Sequence, residues 1–377
     1  MKKYFPLFWV FYLLCAFSAH AGEGRYTIPL TGGGWSLWLD KEASWQNDRL
    51  YLPHEITDLS LLPVNVPTGG WQTLSHNPDA VPVEVPGTVE EYLTVTDNPR
   101  PENFRGVSWW YRKITIPADQ QKKRFIIYFE SVRMRAEVYL DGKLVAYDLI
   151  GETPFHVDIT DEAKPGKEQL LAIRVTNPGG NFHWQDFDIM KWGEYNIPPS
   201  RSFTGIIGRV KLESVNPVFI SDIYMQNTPE LTKVNAILSF TNETSSSVKQ
   251  DVELIVNEKG NPDKVVFRQT LKAISFPAGN HEVTIPVNVP DAKLWDLSTP
   301  ELYTCNVLIK KGKKTLDQDK KDFGFRWFTV DGVGKDAVLR LNGRRIMLRS
   351  AISWGYFPVT GLIATTEMAE KQVRTAK

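Results

Sequence analysis

Two aspartates set among aromatic rings are the residues of this chain best suited to chemistry. Asp186 and Asp188 lie in the run Gly180-Asn181-Phe182-His183-Trp184-Gln185-Asp186-Phe187-Asp188. Rings that stack on sugars beside groups that bond hydroxyls are what a saccharide site uses, so Trp184 and Asp186 are candidate substrate-binding residues. A carboxyl pair can also supply a proton donor and a nucleophile for bond hydrolysis when the two groups lie about 5 to 5.5 Å apart. Spacing along the chain does not set that distance, and no residue of this chain is assigned a catalytic role. The same stretch also reads as a packed, hydrogen-bonded loop between domains. A second group of rings, Trp354, Tyr356 and Phe357, follows an apolar run near the end of the chain. Trp354 and Tyr356 are candidates to stack on a substrate, with core packing as the alternative reading. The six histidines, at positions 20, 54, 76, 156, 183 and 281, are scattered and offer no metal-ligand spacing. Gly32-Gly33-Gly34 precedes a strand rather than a helix, so it reads as a turn and not as a phosphate cradle. No cofactor is expected.

The elements that must hold these residues are almost all strands. From Gly22 to about Val215 short apolar runs follow one another: Val107–Pro117, Arg124–Val132, Ala136–Leu140, Lys143–Tyr147, Phe155–Thr160, Gln169–Thr176 and Ile206–Glu213. Asp141-Gly142 is a two-residue hairpin signal between two of them. Arg124–Val132 is nearly continuous, as for a strand covered on both faces, whereas Leu171, Ile173 and Val175 alternate with Ala172, Arg174 and Thr176, one face in and one out. Many short strands at regular spacing predict a jelly-roll sandwich. Asn216-Pro217 reads as a boundary. Beyond it, Phe219–Met225, Val234–Thr241, Val248–Val256, Val265–Ile274, His281–Val289, Leu302–Ile309 and Asp319–Phe328 predict an immunoglobulin-like sandwich without its cysteine pair. Residues 329–377 read as a strand, an Asn342-Gly343 hairpin, a second strand through Met347, a loop and a helix from Thr366. That order suggests the first unit of an alternating barrel.

Composition narrows the class. The 377 residues carry 44 Lys+Arg and 44 Asp+Glu, a balance that argues against a nucleic-acid partner or a polybasic membrane surface. Residues 1–21 have the form of a signal peptide: Lys2-Lys3, an apolar stretch Leu7–Phe17, then Ala19-His20-Ala21. The apolar stretch is too short for a membrane span. Cys15 offers a lipid anchor as the competing reading, but Leu14 stands where such a signal has a small residue. After cleavage only Cys305 remains, so no disulfide framework is expected. The expectation is a periplasmic or secreted protein.

Several stretches together resemble family 2 of the glycoside hydrolases, the β-galactosidases, β-glucuronidases and β-mannosidases. They are Trp109-Trp110-Tyr111-Arg112-Lys113, Val138-Tyr139-Leu140-Asp141-Gly142-Lys143, Leu294–Thr304, Phe323-Gly324-Phe325-Arg326 and Leu341–Arg349. The resemblance implies a sugar-binding-type jelly roll over 22–215, an immunoglobulin-like sandwich over 216–328 and the truncated start of a (β/α)₈ barrel over 329–377. It implies hydrolysis of O-glycosyl bonds in a glycan or oligosaccharide, β-galactosidase-like. The family's acid/base and nucleophile glutamates lie late in its barrel and have no counterpart in this chain, which is therefore expected to be inactive as given. Ser350 stands where the family has Gly, and Ser353-Trp354-Gly355-Tyr356 departs from the β-galactosidase pattern. A non-catalytic carbohydrate-binding or scaffolding protein is the alternative reading.

Overall fold

The computed structural model describes residues 24–45, 58–93, 106–133, 135–148, 153–177, 204–350, 356–357, 362–363 and 366–377. The first sandwich comprises β1 (Tyr26–Pro29), β2 (Gly32–Asp40), β3 (Val81–Val85), β4 (Gly106–Thr115), β5 (Arg124–Phe129), β6 (Val132–Arg133), β7 (Arg135–Leu140), β8 (Lys143–Asp148), β9 (Phe155–Asp158), β10 (Glu168–Asn177), β11 (Gly205–Ile206) and β12 (Val210–Val215). A four-stranded sheet, β1-β12-β5-β9, faces a six-stranded one, β3-β2-β4-β10-β7-β8. Between them lies an apolar core that includes Trp35, Trp110, Phe129, Ile127, Val138 and Ile173. Helix α1 (Val89–Tyr92) is capped by the Thr88 hydroxyl, which accepts from the Glu91 N–H at 3.1 Å.

The six-stranded sheet is covered on both faces. Its outer face carries Trp109, Tyr111, Tyr139 and Leu144, and residues of the 58–80 segment, Leu62, Trp71 and Leu74, pack over them. The strand faces therefore depart from the alternation in the sequence. In β10 the supposedly outward Ala172, Arg174 and Thr176 are buried like their neighbours, because the covering segment lies on them. The continuous run in β5 instead alternates buried with half-buried residues.

The second sandwich pairs a three-stranded sheet, β13 (Val218–Asn227), β14 (Lys233–Asn242) and β17 (Gly279–Asn288), with a four-stranded sheet in the order β16 (Val265–Phe276), β15 (Val248–Glu258), β18 (Tyr303–Lys311), β19 (Lys314–Phe323). Phe240, Phe276, Tyr303, Cys305 and Phe325 fill its interior. The tight turn at Gly312 starts β19 at Lys314, earlier than the sequence pattern suggests. The chain leaves that sheet at Phe323 rather than at Phe328. Gly324 lets it do so, because a Cβ there would sit 2.9 Å from the Trp295 Cβ.

Beyond Arg326 the strands β20 (Phe328–Asp331), β21 (Val338–Leu341) and β22 (Arg344–Arg345) form a small antiparallel sheet. Asn342 bolts it to the second sandwich. Its Oδ1 accepts from the Trp327 N–H at 2.9 Å and its Nδ2 donates to the Trp295 carbonyl at 3.0 Å. At φ +52° it occupies the left-handed region that Asn tolerates. The second strand is shorter than expected: Arg344–Arg345 pair with β21 and the Ile346 N–H donates to the Leu339 carbonyl at 2.9 Å, while Met347 and Leu348 are exposed. A strand needs a neighbour for its backbone groups, and among the described residues no strand pairs with residues 347–350. Among the described residues of this stretch the strand pairings are all antiparallel. The short pair β23 (Tyr356–Phe357) and β24 (Leu362–Ile363) is antiparallel, and helix α2 (Thr366–Ala376) buries no residue.

Burial at the centre of the second sandwich pushes the Cys305 thiol up to about 12, so almost none of it is the reactive thiolate at neutral pH. A disulfide-exchange reagent at pH 8 is expected to leave native Cys305 untouched and to modify it promptly in denaturant. Rapid modification of the native protein would contradict the packing described.

Candidate functional site

One end of the six-stranded sheet gathers the polar side chains. The register places Asp40 of β2 beside Val107 of β4, Asn177 of β10 beside Gly106, Arg135 of β7 beside Thr176, and Asp148 of β8 beside Ala136. The chain leaves this end toward residues 46–57 after β2 and toward 178–203 after β10. It re-enters from 94–105 at β4. Trp184, Asp186 and Asp188 belong to 178–203 and lie outside the described residues, as does Trp354. Tyr356 falls in β23, paired with Ile363. None of these candidates is brought together with another by the described structure.

The two ends of the 178–203 stretch are tied where they meet the fold. Asn177 Nδ2 donates to Thr204 Oγ1. The Thr204 N–H donates to Glu90 Oε2 at 3.1 Å, and its carbonyl accepts from the Val89 N–H at 2.7 Å. Asn177, Thr204 and Glu90 are all buried. Next to them, a Cβ on Gly205 would come within 2.3 Å of the Gly87 carbonyl, so only glycine allows the return strand to lie this close.

Beside this stem Glu137, 1% exposed, is the hub of a buried ionic cluster. Its carboxylate accepts from Arg174 at 3.3 Å, from Arg135, from Asn65 Nδ2 at 2.8 and 3.0 Å, and from the Tyr139 hydroxyl at 2.5 Å. Arg174 also donates to Thr176 Oγ1 at 2.9 Å and to the Ser44 carbonyl at 3.1 Å. Arg135 donates to the Tyr147 hydroxyl at 2.5 Å and lies 4.7 Å over that ring. Burial, reinforced by the Glu137 carboxylate, holds the Tyr139 phenol far above its ordinary value, so it stays a donor. Asp40 Oδ2 accepts from Trp109 Nε1 at 3.2 Å and from the Thr68 N–H at 2.9 Å. Trp71 closes the arrangement, its ring 5.6 Å from Trp109 and 5.0 Å from Tyr139.

Chemically this end of the sheet is a frame. Three of its carboxylates, Asp40, Glu90 and Glu137, accept bonds from described neighbours, and three of its ties, through Asn65, Ser44 and Thr68, reach non-strand segments. A concavity of about 830 Å³ at the opposite end is lined by Asp58, Asp141, Lys143, Asp158 and Glu162, among others. There Lys164 pairs with Asp141 at 3.0 Å and Lys143 with Glu162. Among the described residues no group of three or more His, Cys, Asp or Glu is placed to hold a metal ion. Sequence reasoning missed the Glu137 cluster. Its signal was available: Arg135, Glu137 and Arg174 interrupt otherwise apolar strands, and at i, i+2 spacing Arg135 and Glu137 share one face.

The two sandwiches correspond to two sequence families. The family described as "Glycosyl hydrolases family 2, sugar binding domain" matches residues 33–197, and "Glycosyl hydrolases family 2" matches residues 218–326. A β-glucuronidase of Formosa agariphila is 26% identical over 267 residues, covering 68% of this chain and 26% of its own length. A β-galactosidase of Thermoanaerobacterium thermosulfurigenes is 26% identical over 271 residues, covering 70% of this chain and 35% of its own length. The chain thus spans about a quarter to a third of these relatives. Among solved structures, Bacteroides uniformis β-glucuronidase 2, covalently bound to cyclophellitol-6-carboxylate aziridine, superposes with a TM-score of 0.63 at 21% identity. That match covers 93% of this chain and 38% of the other.

Removing the charge of Glu137 while keeping its shape tests the cluster. Glu137→Gln leaves Arg135 and Arg174 buried without this carboxylate and is expected to cost about 3 to 5 kcal/mol of stability. Urea unfolding reads this as a lowered midpoint at unchanged slope. A loss under about 0.5 kcal/mol, the size of an ordinary surface change, would contradict it.

Proposed function

The chain belongs to glycosyl hydrolases family 2, and from that premise we propose that the protein carrying these sandwiches hydrolyses O-glycosidic bonds of a β-linked glycan. The observation that carries this reading is the pair of consecutive family matches, 33–197 and 218–326, laid over the two sandwiches in order. A β-glucuronidase and a β-galactosidase are equally near at 26% identity, so the sugar is either a uronic acid or a neutral hexose of that kind. In this reading the first sandwich braces a catalytic unit and aims the 178–203 stretch, with Trp184 and Asp186, toward the sugar. Trp354 and Tyr356 stack against it. The protein is exported after cleavage behind Ala21, which Lys2-Lys3 and the A-x-A triplet support. No helix of the described residues is long and apolar enough to cross a membrane.

The 377 residues by themselves are read as inactive, because the family's acid/base and nucleophile glutamates have no counterpart among them. The purified chain is expected to give only background release from aryl β-glucuronide, β-galactoside and β-mannoside. Specific hydrolysis lost in Asp186→Asn would overturn this and place the catalytic centre in the first sandwich. Micromolar binding of a simple sugar, lost in Trp184→Ala, would favour a carbohydrate-binding module instead. The mass of the exported chain should correspond to a start at Gly22. A chain starting at Met1, or lipidated at Cys15, would remove the export reading.

A further inference from the structure

The link between the sandwiches is two residues long, Asn216-Pro217, between the end of β12 and the start of β13. A link that short limits how far the sandwiches separate but leaves their relative rotation open. Domains joined in this way move against each other unless the interface is held. One side chain reaches across it from the start of the described chain. Arg25 grips the Asp317 carboxylate with both ends of its fork, Nε to Oδ1 at 3.2 Å and a terminal nitrogen to Oδ2 at 3.0 Å. The other terminal nitrogen donates to Glu213 at 3.1 Å and to Asp319 at 3.4 Å. The Ile220 carbonyl accepts a further bond. Glu213 belongs to β12 of the first sandwich, Asp317 and Asp319 to β19 of the second, and Ile220 to β13 just past the link.

The two groups of the central pair are withdrawn from solvent, although Asp319 beside them is 38% exposed. The Arg25 side chain is 9% exposed and that of Asp317 is fully buried. Asp317 Oδ2 accepts in addition from the Ile220 N–H at 2.7 Å. Gly24, also buried, offers its carbonyl to Lys123 Nζ at 3.2 Å. A guanidinium with fixed planar donors sets direction as well as attraction, which a lysine or an apolar contact cannot do. A buried ion pair adds little net stability over an apolar contact of the same shape, and in some proteins it fixes the arrangement instead.

We propose that Arg25 is a clamp that sets the angle between the two sandwiches. The first residues of the described chain thereby fix how the polar end of the first sandwich stands relative to the β20–β22 sheet at the far end of the second. The clamp is separate from the hydrolytic reading above and does not depend on it.

Spin labels at Lys167→Cys and Lys313→Cys, both exposed turn positions on different sandwiches, report the angle in the full chain carrying Cys15→Ser, while Cys305 stays buried. Pulsed dipolar spectroscopy should give one narrow distance distribution in the parent. Arg25→Gln and Asp317→Asn should each broaden and shift it at unchanged circular dichroism. Asp319→Asn, which removes only the longest and most exposed contact, should leave it narrow. Should Arg25→Gln not fold, Arg25→Lys takes its place: it keeps the charge, loses the fork, and should broaden the distribution as well. A distribution unchanged in the Arg25 variant that folds overturns the proposal.

Discussion

A carboxylate taken out of water must be met by donors, and in this protein that requirement organises the most elaborate part of the structure. Glu137 sits near one end of a sheet that is covered on both faces. Left alone there it would cost several kcal/mol. Arg174, Arg135, Asn65 and Tyr139 converge on it, and each also fixes something else. Through Asn65 the segment laid over the outer face is tied down, and through the Ser44 carbonyl Arg174 reaches the chain after β2. The stem at Asn177 and Thr204 lies one residue beyond Thr176, which bonds Arg174. Satisfying one buried charge thus orders the sheet end from which the sequence's most polar and aromatic stretch departs.

The same rule governs the joint between the sandwiches. Asp317 is buried where the two meet, and burial holds its carboxyl above the ordinary range even with Arg25 against it. Glu213 is pushed upward by burial too, but Arg25 and Lys211 outweigh this and hold it below its ordinary value. The two carboxylates answer differently because Lys211 serves Glu213 as a second cation at 2.8 Å, while Asp317 is the more deeply buried of the two. Fold alone assigns no activity to such a frame, and what the protein does rests on its family and on groups that the frame positions.

Much of this architecture was legible in the sequence because local rules and tertiary needs agree. Asp141-Gly142 and Asn342-Gly343 both form turns with positive φ at each residue, as their types demand. The two sandwiches follow from strand spacing and composition. Where a layer arrives from elsewhere in the chain, reading by period fails. Arg174 and Thr176 look solvent-facing until residues 58–80, which carry no strand pattern of their own, cover them. β19 begins at Lys314 rather than Asp319, and the polar residues before Asp319 hide this in the sequence, although Asp317 among them is buried in the joint between sandwiches. The strand expected near Met347 had the composition but not the partner. Of the candidate site, Trp184, Asp186 and Trp354 fall outside the described residues. The charged hub that the structure does place was visible only as Arg135, Glu137 and Arg174 breaking apolar runs.

The claim that one buried carboxylate holds the cover and the sheet end together is tested most directly by hydrogen exchange, compared between the parent chain and Glu137→Gln. Protection is predicted to fall selectively in residues 58–80 and at the ends of β7 and β10, with β13 to β18 unchanged, because local openings follow the contacts that are lost. Unaltered protection over 58–80, or an even loss across both sandwiches, would contradict it.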